Sequence, residues 1–486
     1  MRLYDILRNV EHEIIQGEDC DIKKLTIDSR MVCRGSLFFC ISGIHTDGHS
    51  FIPQAAEDGA AAAVVDKDQP SYPSGLTIIK VADTRKAMSL IAANFYGNPD
   101  KSLTLAGVTG TNGKTSSVYF VESVLEEWRS RHGIITTVDC RACGKPVEIH
   151  FATSTTPDSI ELHKILKAMK DEGAQYVAME VTSHALALEK VEGMRYRVAG
   201  FTNLTQDHLD FHKDFDDYRD TKKRLYGQCD HAVTNVDDPY GLYMVEGHMC
   251  DVTTYSIEKE SDLRAVNVRL LDDGVRFDVD IDGKMVHFSL PVRGRFTVYN
   301  ALNAIGMCLA LGVPADIISS GLANVKGVPG RIQSVPSDHD FDVIVDYSHT
   351  PDSMENILTT VRETTRGRVI VIFGCGGDRD PIKRPIMGEI AAKRADYVII
   401  TSDNPRTEDP VSIAAEIEVG VKRHVTPYEM QLDRREAICK GINMACSGDT
   451  VVIAGKGHED YQIFADRTIH FDDYEEAAKA LESIKK

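Results

Sequence analysis

Residues 103–128, LTLAGVTGTNGKTSSVYFVESVLEEW, decide the fold. The apolar run LTLAGVT reads as a strand, Gly110-Thr111-Asn112-Gly113 as a Gly-rich turn, and the stretch from Lys114 as a helix. Strand, loop and helix in that order mark a nucleotide-binding α/β unit. Backbone N–H groups at such a helix start can cradle phosphates, Lys114 can reach the group being transferred, and Thr115 can hold Mg²⁺. The general pattern GxxxxGK[ST] has a glycine where this chain has Val108, so a Gly-rich turn with a solvated lysine is the competing reading.

Upstream, the short β-like runs LTIDSR, SLFFCIS and AAAVVD mix with helical stretches and end at the turn Tyr96-Gly97-Asn98-Pro99. Downstream, YVAMEV, YRVAGFTN and HAVTNV alternate with helical segments, as in a parallel sheet. Residues 263–291 alternate with period two around Asp273-Gly274 and Asp282-Gly283, which predicts an antiparallel meander appended to that sheet. Past a break at Gly327-Val-Pro-Gly-Arg331, the runs FDVIVDY, RVIVIFG, DYVIIT and DTVVIAG predict a Rossmann-like unit. At 486 residues and roughly 150 residues per domain, the chain is expected to be an α/β protein of three domains. These are an N-terminal domain over 1–99, a central P-loop domain with a parallel sheet and a small antiparallel one over 100–333, and a C-terminal Rossmann-like domain over 334–486.

Hydrophobic residues at 42% and charged residues at 27% lie in the ordinary globular range. A net charge of −19 argues against nucleic-acid binding, so an anionic ligand has to be held by a local site. The amino terminus has no uninterrupted apolar segment and no stretch is long enough to span a membrane, which predicts a cytoplasmic protein without a membrane partner. It is expected to act as a monomer. The 11 cysteines include one CxxC, Cys140 to Cys143, with no second pair at zinc spacing, so ordinary reduced thiols are expected. Glu180 ends the run YVAMEV, where a carboxylate projects from the carboxyl edge of a sheet and can bind Mg²⁺. His208 and His212, taken alone, could be a zinc pair or part of a charged surface turn.

VTGTNGKTSS, STTPD, EVTSHAL and NLTQDHLDFH, in that order, resemble the central domain of the Mur ligases, which build the peptide stem of peptidoglycan. The resemblance implies that ATP, as co-substrate, activates a carboxylate as an acyl phosphate that an amino acid's amine then attacks. It implies that Gly110, Thr111, Asn112, Gly113, Lys114, Thr115 and Ser116 surround the ATP phosphates. Two Mg²⁺ ions are implied, with Thr115, Glu180, His208 and a carbamylated Lys222 as ligands; Lys114, His208 and Lys222 carry the chemistry. Carbamylation would turn an ammonium into an anionic oxygen donor. Asn300 is implied to reach toward the adenine, Arg331 to contact the phosphates, and Asp346 and His349 to meet ribose and base from the third domain.

The same resemblance extends to the other substrates. Asp403-Asn404-Pro405-Arg406 resembles the sequence of members selecting meso-diaminopimelate, whose second carboxylate Arg406 can bind through a bidentate, charge-assisted pair. Gly455 and Glu459, in GKGHE, and Arg379, in GCGGDRD, complete the implied amino-acid site. Ser29, Thr155, Thr156, Ser183 and Lys190 are implied to contact a UDP-muramyl dipeptide. Where the family often reads H-A-L-x-Q-x-R, this chain has Leu188 and Lys190, and a lysine cannot reproduce a guanidinium fork. An L-lysine-adding ligase, a folylpolyglutamate synthetase-like ligase and a non-catalytic ATP sensor on the same fold are the alternatives.

Overall fold

The computed structural model describes residues 1–43, 46–147, 155–271 and 273–484. Ser154, which opens STTPD, and Asp272 of the predicted meander lie outside them. Within the described residues the chain builds three large sheets, one for each stretch anticipated from the sequence pattern.

The middle sheet positions the site. Its strand Thr104–Thr109 runs parallel to Tyr176–Glu180 on one side and to Tyr196–Phe201 on the other. The register pairs Val108 with Glu180 and Thr109 with Phe201. The carboxyl ends of all three strands therefore open together, just where the chain leaves Thr109 for the Gly-rich loop. Strands with helices on both faces are buried on both, which is why TLAGVT and YVAME are almost continuously apolar. The helices Lys114–Glu127 and Arg295–Ala310 pack together on one face of the sheet.

The period-two stretch does form a meander, Leu263–Leu271, Gly274–Ile281 and Lys284–Leu290, with antiparallel pairing. It is not a separate sheet. Tyr255 and Ser256 pair in parallel with Leu263 and Arg264, so the same strand then turns antiparallel toward its next neighbour and the middle sheet reaches eleven strands.

The N-terminal sheet has four parallel strands, Lys24–Thr26, Ser36–Phe39, Ala60–Val65 and Thr77–Lys80, closed by the antiparallel edge strand Glu13–Gln16. The third sheet sets Asp342–Asp346 beside Thr450–Ala454, then Val369–Phe373, Tyr397–Ile400 and Tyr428–Met430, all parallel, with Gln333–Ser334 antiparallel on the outer edge. Between the second and third sheets the linker crosses the loop after Thr450–Ala454 at very short range. A Cβ on Gly330, whose φ is +68°, would stand 2.3 Å from the His458 backbone nitrogen. Only glycine allows two backbones to pass so closely. Among the described residues no helix is long and apolar enough to cross a membrane.

Candidate active site

The phosphate loop is held from below. Gly110 and Gly113 take φ of +146° and +83°, and Gly113 caps the helix Lys114–Glu127. Asn203 accepts from the Asn112 backbone N–H at 3.0 Å, and the Thr202 hydroxyl donates to the Asn112 carbonyl at 2.6 Å. The Asn300 side chain lies against Gly113, so close that a Cβ there would stand 2.3 Å from its Oδ1. Asn300 thus fixes the loop from the helix Arg295–Ala310 behind it. Ser116 follows, half-buried, in the first helical turn. The Lys114 ammonium donates to the Gly110 and Thr111 carbonyls at 3.0 and 2.7 Å. Burial lowers its pKa, while the Glu180 and Asp207 carboxylates oppose that shift.

Glu180 is not a solvated strand end. It is 1% exposed, and its Oε1 accepts from the Thr115 hydroxyl at 2.9 Å, the Thr137 N–H at 2.8 Å and the Thr137 hydroxyl at 3.1 Å. An anionic oxygen beside a hydroxyl at a helix N-terminus is a hard donor pair of the kind Mg²⁺ prefers, and these residues fit that ion. Arg331 reaches the same place from the linker, donating to Thr115 Oγ1 at 3.4 Å while its guanidinium lies 4.4 Å from the centre of the Tyr347 ring.

Lys222 is also buried, 1% exposed, and donates to the Gly110 carbonyl at 2.8 Å beside the Tyr218 ring. Burial first, and Lys114 second, drive its pKa well below 10.5. As an ammonium it does not fit a metal site; as a carbamate it would. His208 sits in the left-handed region at φ +56°, with Nε2 3.4 Å from Asp207 Oδ2 and its ring edge-on to His184. Burial pushes its pKa down to about 4. The two ring nitrogens of His212 are taken by Ser183 Oγ at 3.0 Å and Asp217 Oδ2 at 3.1 Å, so no zinc pair forms with His208. Among the described residues no three His, Cys, Asp or Glu side chains gather as a metal site. Cys140 and Cys143 are free thiols.

The third domain closes over this edge. The Asn112 amide donates to Asp352, on the helix Pro351–Thr364, at 2.7 Å. Asp346 spends its oxygens locally, accepting from the Ile332 N–H at 2.7 Å and the Ser348 N–H at 2.9 Å, and so ties the linker to the third sheet. The His349 ring meets the Tyr347 carbonyl at 2.8 Å; burial, reinforced by Lys383, pushes its pKa down to about 4.

Asp403, Asn404, Arg406, Gly455 and Glu459 converge at the carboxyl ends of Tyr397–Ile400 and Thr450–Ala454. Asn404 donates to Glu459 Oε2 at 2.8 Å, and the fully buried Lys456 meets the same oxygen at 3.0 Å. Burial, with Asp403 adding repulsion, raises the Glu459 pKa. Gly455 faces Asp403, whose Oδ2 would stand 2.7 Å from a Cβ there. Arg406, at φ +52°, donates to the Gly377 carbonyl at 2.8 Å, while Arg379 is exposed and bonds the Asp378 carbonyl at 3.1 Å.

On the opposite side Thr155 accepts from Thr137 at 3.0 Å, and the buried Thr156 donates to the Glu180 carbonyl at 3.0 Å. Lys190 is buried too, 3.0 Å from Asp158 and 3.3 Å from the Thr156 carbonyl, so its charge serves the STTPD segment. Ser29 opens a short 3₁₀ turn capped by Asp28, at the far side of the N-terminal sheet's edge strand Lys24–Thr26.

Three family models match this chain in succession: "Mur ligase family, catalytic domain" over residues 21–96, "Mur ligase middle domain" over 108–308 and "Mur ligase, glutamate ligase domain" over 330–457. The chain belongs to the Mur ligase family. Curated relatives from Clostridium botulinum and Clostridium tetani are each 44% identical over 100% of both chains, and each is named UDP-N-acetylmuramoyl-L-alanyl-D-glutamate--2,6-diaminopimelate ligase. A solved structure of a protein of that name is 28% identical, covers 95% of each chain and superposes with a TM-score of 0.67. A folylpolyglutamate synthase of Mycobacterium tuberculosis, at 18% identity, covers 77% of this chain and 92% of its own with a TM-score of 0.64, a likeness of fold.

Several residues of this Mur ligase's site escaped the sequence reading. Thr137 sits in an unremarkable TTVD stretch, and only the fold brings its N–H to Glu180. Thr202 and Asn203, which pin the phosphate loop, end the run YRVAGFTN, and Tyr218 meets Thr111 at 3.0 Å from a helix distant in sequence. Lys456 and Asp352 had a visible signal: the first lies inside GKGHE after a strand, and the second in the capping box that starts Pro351–Thr364.

Proposed function

We propose that this chain is the ligase that uses ATP to add meso-diaminopimelate to the D-glutamyl residue of UDP-N-acetylmuramoyl-L-alanyl-D-glutamate in peptidoglycan synthesis. The observation that carries the reading is a chain of contacts from the phosphate loop to the third domain. Arg331 donates to Thr115 at 3.4 Å and lies over the Tyr347 ring, and the Tyr347 hydroxyl donates to Glu459 at 3.5 Å, beside Asn404. The full-length relatives of the same name support it.

Each residue then has a task. The loop's N–H groups and Lys114 hold the β- and γ-phosphates, Lys114 leaving its two carbonyl partners to do so. Arg331 swings with the linker to the charge that accumulates on the transferring group, so it acts only in the closed form. Thr115 and Glu180 would hold one Mg²⁺, and His208 with a carbamylated Lys222 a second. Bound there, the metal would neutralise charge on the triphosphate and the attacking carboxylate. Burial lowers the Lys222 pKa and so favours the neutral amine, the form able to combine with CO₂. Asp403 and Glu459 accept the substrate's ammonium groups, and Arg406 pairs with the carboxylate that lysine lacks. Closure excludes water from the acyl phosphate.

Phosphate release by the purified protein, given ATP, the UDP-dipeptide and either meso-diaminopimelate or L-lysine, tests the assignment. Release with the first amine and little with the second is expected; preference for lysine would overturn it. Arg406→Lys is expected to raise the diaminopimelate KM about tenfold or more while moving the ATP KM little, because an ammonium cannot make the forked pair.

A further inference from the structure

Arg384 is among the largest side chains sealed in the molecule, 1% exposed, although it carries a full charge and lies in the first turn of the helix Lys383–Arg394. A buried guanidinium has to be paired or it is strongly destabilising. Its fork meets Glu408 with two parallel bonds, Nη1 to Oε2 and Nη2 to Oε1, both 2.9 Å. Nη1 also reaches Glu416 Oε2 at 2.9 Å, and Nη2 the Gly376 carbonyl at 3.3 Å.

Two of these partners, Gly376 and Glu408, lie on loops that carry the amino-acid-site residues. Gly376 belongs to the loop bearing Arg379, and Glu408 to the loop bearing Asp403, Asn404 and Arg406. The loops are laced to each other as well. Glu408 accepts from the Asp378 N–H, Thr407 Oγ1 donates to Asp378 at 2.6 Å, and the Gly377 N–H donates to the Asn404 carbonyl at 2.9 Å. A Cβ on Gly377 would stand 1.9 Å from the Pro405 carbonyl oxygen, and one on Gly376 2.9 Å from Arg406 Nη1. Glu416 differs from Glu408 in one respect: it lies on the regular helix Pro410–Val421, outside the two loops.

We infer that the Arg384–Glu408 pair is a specificity-determining positioning element, which sets the height of Arg406 and Arg379 over the amino-acid pocket without touching the substrate. The inference rests on the diaminopimelate reading given above. Arg406 holds a left-handed backbone that side chains adopt at a cost, so its direction depends on what fixes the loop on either side. On one side that is the Ile463 carbonyl, 3.0 Å from the Arg406 N–H; on the other it is Glu408, through Arg384.

The test is steady-state kinetics of the full-length enzyme bearing Glu408→Gln, with Glu416→Gln as control. Both remove one carboxylate charge from the same guanidinium, but only the first frees the loop. Glu408→Gln is expected to raise the KM for meso-diaminopimelate roughly tenfold, the size of one charge-assisted hydrogen bond, and to narrow the preference over L-lysine. The kcat and the KM for ATP should stay within about twofold, and Glu416→Gln should leave all of these unchanged. Arg384→Lys, which keeps the charge and loses the fork, should resemble Glu408→Gln. Equal effects of the two glutamate variants, or a fall in kcat with KM constant, would overturn the inference. A wild-type enzyme that does not prefer meso-diaminopimelate would instead overturn the functional reading itself, so the two failures are distinguishable.

Discussion

Lys222 and His163 show how burial sets the chemistry of a side chain. Among the described residues Lys222 has no carboxylate partner at hydrogen-bond distance; it faces a carbonyl, an aromatic ring and the positive Lys114. Lys222→Ala is expected to abolish ligation, with partial return when a small carboxylate such as acetate is added. Unchanged turnover would remove the carbamate from the mechanism. His163 lies at the junction of the first two domains, 1% exposed, 3.9 Å from Asp100. Among the described residues neither of its ring nitrogens has a hydrogen-bond partner, and burial pushes its pKa from 6.5 down to about 4. The unfolded chain therefore takes up a proton that the folded chain refuses. Stability is lost as pH falls through that window, by up to about 3 kcal/mol. His163→Gln is expected to flatten the fall between pH 6.5 and 4, measured by urea unfolding; a curve parallel to the wild type would show that His163 does not titrate this way.

At the scale of elements, the strand, loop and helix at 103–128 were legible because each signal is local: apolar continuity, two glycines, and helical periodicity after Lys114. The meander was legible for the same reason, from alternation and Asp-Gly turns. Its attachment to the parallel sheet was legible too, but not the two-residue pairing between Tyr255-Ser256 and Leu263-Arg264 that makes it, which leaves no mark in either segment. The site divides in the same way. Glu180 could be placed from the end of its strand, whereas Thr137, Asn203 and Tyr218 reach it only through tertiary contact. Asn300 is instructive, because the motif is visible but its contact with Gly113 is not. That contact yields a prediction. Gly113→Ala places a methyl against Asn300 Oδ1 at a backbone angle alanine resists. Nucleotide affinity measured by calorimetry should fall at least tenfold with the fold retained, and wild-type affinity would show that the loop can yield.

Across the whole molecule, the polar links between the second and third domains include, among the described residues, Asn112 to Asp352 at 2.7 Å and Arg293 to Asp342 at 3.6 Å. Interfaces of this kind allow domains to swing. Asp352→Ala is expected to lower kcat several-fold through less frequent closure, while the diaminopimelate pocket, built wholly within the third domain, keeps its geometry. Solution scattering should show a more extended average shape; a profile identical to the wild type would mean that the link does not govern closure. The near contact of Gly330 with the His458 backbone adds a mechanical consequence. The linker at Gly330 lies directly against the loop that bears the amino-acid-site residues, only a residue removed from Glu459. A guest that stiffens that loop is expected to restrain the linker as well, and by reciprocity a nucleotide that fixes the linker is expected to stiffen the loop.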